Sequence, residues 1–155
     1  MWTAQRIFEL TVLAFFTLVC FASLVFQANR VRADRFFFEG DLYGAHVTDP
    51  YNYRYAYALG TALLSQNQAK NAIPYLEKTI RLHPNYPDAF NNLAVAYLKA
   101  RRYRDGLNLI DSTFKKWPNH RAVAANKEMG DKMRKSLGIR PKEKVVDKSV
   151  KKGKR

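Results

Sequence analysis

The spacing between two prolines constrains the fold of this chain more than any other feature of its sequence. Pro84 and Pro118 lie 34 positions apart, and each follows a segment with helical apolar spacing. When residues 53–86 are placed over residues 87–120 without gaps, large apolar residues fall on large ones and small residues on small ones. The matches are Leu59 with Leu93, Gly60 with Ala94, Ala62 with Ala96, Leu63 with Tyr97, Ala72 with Gly106, Leu76 with Ile110 and Thr79 with Thr113. The pattern predicts two successive copies of one structural unit.

Each copy carries two stripes of apolar residues at helical spacing. In the second copy the stripes are Phe90, Leu93 and Tyr97, then Tyr103, Leu107, Ile110 and Phe114. Each unit is therefore predicted to be a helix, a turn and a helix, with its proline ending the second helix. Asp49 and Pro50 are predicted to be the N-cap and first residue of the first helix. Pro74 is assigned to the first turn of the next helix, where its missing N–H costs little.

These residues resemble the tetratricopeptide repeat family, whose repeats have this same period. The resemblance covers residues 53–120 as two repeats, about 53–86 and 87–120. The second repeat has the family's large aromatic residue, leucine–small pair, tyrosine, small residue and proline as Phe90, Leu93–Ala94, Tyr97, Gly106 and Pro118. The first repeat departs from the pattern at Ala56 and Leu63. The resemblance implies an all-α fold with a short α-solenoid.

A further helix is predicted after the second repeat, over residues 121–137. Its apolar residues Ala122, Ala125, Met129 and Met133 are predicted to form the stripe that packs on the repeats. It lacks the leucine–glycine pair, so it is interpreted as a capping helix, and the domain is placed at residues 51–137. An array this short would gain stability by packing against the membrane-proximal segment or a partner subunit.

An apolar run near the N-terminus predicts a membrane anchor, placed at residues 1–29. The run starts at Leu10, ends at Phe26 and includes no charged residue. As a helix it spans ~26 Å, close to the thickness of a hydrocarbon core. A cleaved signal peptide is the main alternative, but the sequence VFQA at the end of the run has Val25 where a cleavage site prefers a small residue.

The side of the membrane is predicted only from flanking charge. Arg6 precedes the apolar run, whereas Arg30, Arg32 and Arg35 follow it. This asymmetry favours a single-pass protein whose repeats lie on the cytoplasmic or matrix side. The very short N-terminal tail argues in the opposite direction.

Residues 30–50 are interpreted as an aromatic-rich connector. Phe36, Phe37 and Phe38 cannot all face the core of one small element. Two interpretations stay open: an aromatic belt at the membrane interface, or a segment that covers the first helix of the following domain.

The chain carries a formal net charge of +14, and most of it lies at the C-terminal end. Residues 138–155 contain almost no large apolar residue and are predicted to be a basic, disordered tail. Its cations could contact anionic lipid headgroups; they are Lys142, Lys144, Lys148, Lys151, Lys152, Lys154 and Arg155. Nucleic acid is a less favoured ligand for this tail, because no interleaved aromatic residue argues for base stacking.

No pattern in the sequence predicts catalysis, a metal site or a cofactor. His46, His83 and His120 have no other ligand at metal-binding spacing, and Cys20 is the single cysteine. No phosphate-binding glycine loop or nucleophile motif is present. We therefore predict that the protein is not an enzyme.

The resemblance implies a binding face on the first helices of the repeats. Carried over position by position, this face comprises Arg54, Tyr57, Thr61, Leu64, Asn92, Val95 and Lys99. Some family members hold a C-terminal carboxylate with Lys, Asn and Arg side chains. Here only Asn92 matches that set, because Tyr57, Thr61 and Ala122 stand at three of its other positions. The mixed, moderately apolar face favours a helix or loop of a protein partner.

The sequence thus predicts a membrane-anchored protein–protein interaction module. It would act as a scaffold, assembly factor or accessory subunit of a membrane protein complex. The alternative is a membrane-tethered contact with nucleic acid or the ribosome through the basic tail.

Overall fold

A computed structural model of the chain describes residues 3–140, which contain α-helices and turns but no strand. The helices are α1 (Ala4–Phe38), α2 (Leu42–Thr48), α3 (Tyr53–Ser65), α4 (Ala69–Leu82), α5 (Pro87–Lys99), α6 (Tyr103–Lys116) and α7 (Arg121–Leu137). The predicted all-α fold class is confirmed. The seven cations predicted to act in the tail, from Lys142 onward, lie outside the described residues.

The period of the sequence reappears in the helix boundaries. Helix α5 begins and ends one full period after α3, and α6 begins and ends one full period after α4. Each pair forms a helix–turn–helix unit whose two helices pack along their length. Because consecutive units have the same internal geometry, α3 and α5 hold equivalent positions, and α7 begins one period after α5.

Apolar contacts between consecutive helices form the core of the repeats. Leu76, Ala72 and Leu93 are buried between α3, α4 and α5, and Leu107 with Ile110 continues the core toward α7. Small residues set how closely the helices approach. A Cβ added at Gly106 would lie 2.7 Å from the Leu98 side chain, so only glycine fits at this crossing without a shift.

Helix α7 packs through a different edge from the one predicted. Of the predicted packing stripe, only Met133 contacts the core, whereas Ala122, Ala125 and Met129 are exposed, so the stripe is wrong at those three positions. The helix instead buries residues 123, 130 and 134, of which the last is an arginine. Arg134 donates to the Asp111 carboxylate at 2.6 Å and to the Leu107 carbonyl at 3.2 Å. The apolar pattern failed because a paired charge, rather than an aliphatic side chain, fills the buried position.

The N-terminal helix α1 is long and apolar enough to cross a membrane by length and composition. Its most apolar stretch has a mean hydropathy of 2.2, and none of that stretch is buried against the rest of the chain. The helix then continues without a break through the first residues of the predicted connector and ends at Phe38.

The C-terminal part of α1 covers α2 and the first turn of α3. Ala33 is fully buried, and the rings of Phe37 and Tyr55 lie 5.4 Å apart. The Tyr55 hydroxyl donates to Asp34 at 2.5 Å, and burial raises the pKa of this tyrosine to about 12, so the phenol stays a donor. Phe36 packs on the same cluster, whereas Phe38 is 84% exposed. These contacts favour the covering interpretation of the aromatic segment for its first two phenylalanines.

The predicted helix start at Asp49 and Pro50 is wrong. Helix α3 begins at Tyr53, and its N-cap is Asn52, whose side chain accepts from the Arg54 N–H at 3.1 Å. Asp49 instead ends α2, because its own N–H bonds back to the carbonyl of residue 45 in the last turn of that helix.

Pro50 belongs to a series that reaches one period further back than the predicted repeats. It lies as far before Pro84 as Pro84 lies before Pro118, in a turn of the same kind. The residues before the prolines share one backbone conformation, with φ/ψ of −130/82° at Asp49, −138/84° at His83 and −134/66° at Trp117. Helix α2 therefore occupies the place of the last part of a second repeat helix, and the end of α1 packs against it.

Pro74 also differs from its prediction. It is the sixth residue of α4 rather than part of the first turn. At that position its ring replaces the N–H that would bond to the carbonyl of residue 70. The side chain is exposed and lines an open surface pocket with Leu59, Leu63 and Tyr75.

His46 couples α2 to α4 and should make stability depend on pH. Its ring lies 5.3 Å from Tyr75, and its Nε2 accepts from Lys78 at 3.5 Å. Burial, and then the Lys78 charge, lowers the pKa of His46 below its usual 6.5, while Asp49 opposes the shift more weakly. The unfolded chain therefore binds this proton more readily, so stability falls as pH drops through 6.5 toward the folded value.

We expect His46→Gln to flatten that part of the pH profile. Urea unfolding of both proteins between about pH 7.5 and pH 5 measures the difference, because the other two histidines are present in each. Parallel profiles for the two proteins would contradict the assignment.

Candidate partner-binding face

The first helices of the units, α3, α5 and α7, lie side by side and are joined by a ladder of polar side chains. Asn92 of α5 donates to the Tyr57 hydroxyl at 3.2 Å and to the Thr61 hydroxyl at 3.1 Å, both on α3. The next rung repeats one period later, where Asn126 of α7 donates to Asn91 of α5 at 2.6 Å. Tyr57 and Asn91 are equivalent positions, as are Asn92 and Asn126.

The structure thus brings together three of the residues predicted for the face, Tyr57, Thr61 and Asn92. Their hydrogen bonds hold the Asn92 amide in a fixed orientation, so its remaining acceptor is available in a defined place. The second rung was not predicted. The period of the sequence could have predicted it. The residues one period after Tyr57 and Asn92 of the first rung are Asn91 and Asn126.

The tyrosines at the start of the face are neutral. The rings of Tyr57 and Tyr86 lie 4.7 Å apart, and Tyr86 also contacts Tyr53 and His83. Burial raises the pKa of Tyr57, and burial together with the neighbouring Tyr57 raises the pKa of Tyr86 to about 12. Both phenols therefore remain hydrogen-bond donors near neutral pH.

The other predicted face residues differ in exposure. Arg54 is exposed at the start of α3, and Lys99 at the end of α5 donates to Asn67 at 2.9 Å. Val95 is half-buried against the core. Leu64 is 8% exposed and belongs to the core, so its placement on the face is a correction. It lies in the last turn of α3, where α4 folds back over the helix.

Helix α7 extends the face across a third helix. One period beyond α5, the positions equivalent to Tyr57 and Val95 are occupied by Ala125 and Met129, and both are exposed. The residues predicted to pack inward are therefore surface residues in line with the predicted face. The face changes from tyrosine and threonine on α3, through asparagine and valine, to alanine and methionine on α7.

Comparison with family profiles matches residues 48–127, more than half of the chain, to the tetratricopeptide repeat. The chain belongs to the tetratricopeptide repeat family. The match begins at the last residue of α2 and ends inside α7, so it spans both repeats and part of the capping helix. Tetratricopeptide repeats are protein–protein interaction modules, and the fold of this chain supports the same general function.

Solved tetratricopeptide domains have the same fold. The first such domain of Spaghetti (RPAP3), bound to an HSP90 peptide, is 14% identical with a TM-score of 0.55, over 72% of this chain and 94% of that one. The second domain of human RPAP3, in complex with an HSP70 peptide, is 16% identical with a TM-score of 0.55, over 70% and 97%. The P58(IPK) domain is 17% identical with a TM-score of 0.63, over 88% and 38%. No curated protein sequence matches the chain.

The histidines of this tetratricopeptide protein have structural contacts. His83 stacks on Tyr53 with ring centres 4.5 Å apart, and His120 lies 3.5 Å from the Asp88 carboxylate. Within residues 3–140, no group of three or more His, Cys, Asp or Glu side chains is placed to hold a metal ion.

Proposed function

We propose that this protein is a membrane-anchored interaction module that binds a protein partner on the face of α3, α5 and α7. It would serve as a scaffold, assembly factor or accessory subunit of a membrane protein complex. The observation that carries the proposal is the ladder of Asn92 and Asn126, which fixes three helices into one continuous surface. A surface that is ordered before binding loses less entropy when a partner docks.

The chemistry of the face favours a helix or loop as its ligand. Neutral amides and phenols lie along α3 and α5, small and apolar side chains lie on α7, and Arg54 and Lys99 carry charge at the margins. The two RPAP3 domains of the same fold bind an HSP90 peptide and an HSP70 peptide. Here Tyr57, Thr61 and Ala122 replace cationic or amide groups of the carboxylate-binding set, so we propose a partner other than an acidic chain terminus.

The anchor in this proposal is the apolar part of α1. The support is its length, its hydropathy of 2.2 and its lack of contact with the repeats. Arg30, Arg32 and Arg35 after the span favour the cytoplasmic or matrix side for the repeats. The basic residues beyond 140 would add electrostatic contact with anionic lipids.

Ala125→Arg should disrupt partner binding without unfolding the domain. Ala125 is exposed in the second turn of α7, so a long cation fits sterically but meets the partner. We expect at least about a tenfold loss of co-purified partner, equivalent to about 1.4 kcal/mol. The matched control is Ser112→Arg, because Ser112 is exposed on α6, away from the face.

Affinity purification in mild detergent, with the melting temperature of each variant, measures this effect. Equal partner recovery from Ala125→Arg and Ser112→Arg would contradict the proposed face. Loss of the partner after nuclease treatment, with normal recovery from Ala125→Arg, would favour the nucleic-acid alternative instead.

A further inference from the structure

Helix α1 has a second face, which is exposed and packs against no other helix in the described part of the chain. Its inward face carries Ala33, Phe36 and Phe37 onto the repeats. The opposite face carries five exposed residues that alternate in spacing by four and three positions. We call this set the outer stripe; it consists of Leu24, Ala28, Val31, Arg35 and Phe38. Such spacing is that of one helix seam facing another helix.

Lipid does not account for the distal end of the outer stripe. Val31 is 71% exposed and Phe38 is 84% exposed, although both lie beyond Phe26, where the apolar run ends. The rise of the helix from Phe26 to Phe38 corresponds to ~18 Å along its axis. The headgroup layer of one leaflet is only ~5–8 Å thick, and a tilt of ~20° shortens the projection little. Phe38 therefore stands clear of the bilayer.

A second copy of this chain is a poor match to the outer stripe. In a parallel pair of α1 helices with this seam, each Arg35 would face the other Arg35. Beside the seam of such a pair, a residue of one helix faces the residue five positions later in the other helix. Asp34 of one copy would therefore approach Glu39 of the other. Both contacts bring like charges together. The sequence of α1 thus opposes self-association through this face.

Charge on the outer stripe indicates what would fit it. The Arg35 side chain is 78% exposed, and its Nε lies 3.7 Å from the carboxylate of Glu39, the C-cap residue of α1. That exposed pair is worth little and leaves the guanidinium donors free for a second carboxylate. An apolar helix with an acidic residue at the level of Arg35 would cover Val31 and Phe38 and satisfy the cation.

We propose that the outer stripe of α1 is a docking surface for a membrane-spanning helix of another protein, and that this helix carries a carboxylate opposite Arg35. This inference rests on the proposed function, because it requires α1 to be inserted in a bilayer. It assigns a second contact to the same complex, on the side of α1 away from the repeats.

The test uses the full chain in phosphatidylcholine vesicles with a defined probe. The probe is a synthetic leucine–alanine transmembrane peptide that continues as an alanine–glutamine helix for about three turns beyond the bilayer. It carries Glu about nine residues past its apolar segment, at the level of Arg35, and the matched peptide carries Gln there. A benzophenone amino acid is placed at position 31, on the stripe, or at position 29, which is exposed on another face. We expect position 31 to cross-link the Glu peptide about threefold more than the Gln peptide, as an exposed charge pair allows. The benzophenone at position 29 should cross-link the Glu and Gln peptides to the same extent.

Charge reversal provides the second arm. Arg35→Glu should transfer the preference to a peptide that carries Lys in the same turn, and Arg35→Lys should retain the preference for Glu. Equal cross-linking of the Glu and Gln peptides, equal yields from positions 29 and 31, or a dominant product of two copies of the chain would each overturn the inference. Release of the full chain by alkaline carbonate would instead overturn the proposed anchor, so the two failures are distinguishable.

Discussion

Gly106→Leu should destabilise the repeat domain by about 3 kcal/mol, the upper end of the usual cost of overpacking. A Cβ at this position would lie 2.7 Å from the Leu98 side chain and 3.0 Å from the Ala94 carbonyl oxygen. The oxygen belongs to the backbone of α5, so a rotamer change cannot relieve both contacts. A leucine would force α5 and α6 apart and open the core that contains Leu107.

Urea unfolding monitored by circular dichroism measures this loss of stability. Ser112→Leu on the same helix is the matched control, since Ser112 is exposed and its substitution should change stability by less than about 0.5 kcal/mol. If both variants unfold at the same urea concentration as the parent, then α5 and α6 do not cross at Gly106, and the repeat register is wrong.

The crossing at Gly106 was accessible from the sequence because size is matched between repeats. Gly60 and Gly106 align with Ala94 and Ala72, so a small residue recurs wherever the period requires close approach. The same regularity predicted the helix pairs. Few folds are compatible with a repeat of this length, since each unit must bury its apolar face against an identical neighbour.

The ends of the array were harder to predict from the period, because an end unit lacks a repeat on one side and packs against something else. Pro50 continues the proline series, but no complete unit precedes it, so its sequence context resembles a helix start. At the other end, Ala122, Ala125 and Met129 have the composition of a packing stripe and yet are exposed. A terminal helix has a neighbour on one side only, and here Arg134 with Asp111 forms part of that contact.

The candidate face could be predicted only as far as the family pattern and the period specify it. The family pattern places Tyr57, Thr61 and Asn92 on one face, and in the structure they are joined by hydrogen bonds. Leu64 was misplaced because a position near the end of α3 is covered by α4, and helical spacing alone does not report such coverage. The contribution of α7 depends on its rotation, which the buried Arg134 fixes.

A chain that begins at Arg30 should leave the membrane and keep its fold. It lacks the apolar run but retains Ala33, Asp34 and Phe37, which cover Tyr55. The full chain should remain in the pellet after extraction with alkaline carbonate, whereas the truncated chain should be soluble. Recovery of the full chain in the carbonate supernatant would show that α1 is not a membrane anchor.

A chain that begins at Asp41 should also be soluble but about 3 kcal/mol less stable than the chain that begins at Arg30. It loses the hydrogen bond between Asp34 and Tyr55, worth about 1 kcal/mol, and the partial burial of two phenylalanines, worth about 2 kcal/mol. Tyr55→Phe in the longer chain is the matched control, because it removes the hydrogen bond alone and should cost about 1 kcal/mol. If the chains that begin at Arg30 and Asp41 unfold at the same urea concentration, the end of α1 does not support the repeats. A loss of about 3 kcal/mol would instead mean that α1 is continuous with the solenoid, so that anchoring the helix also orients the binding face relative to the membrane.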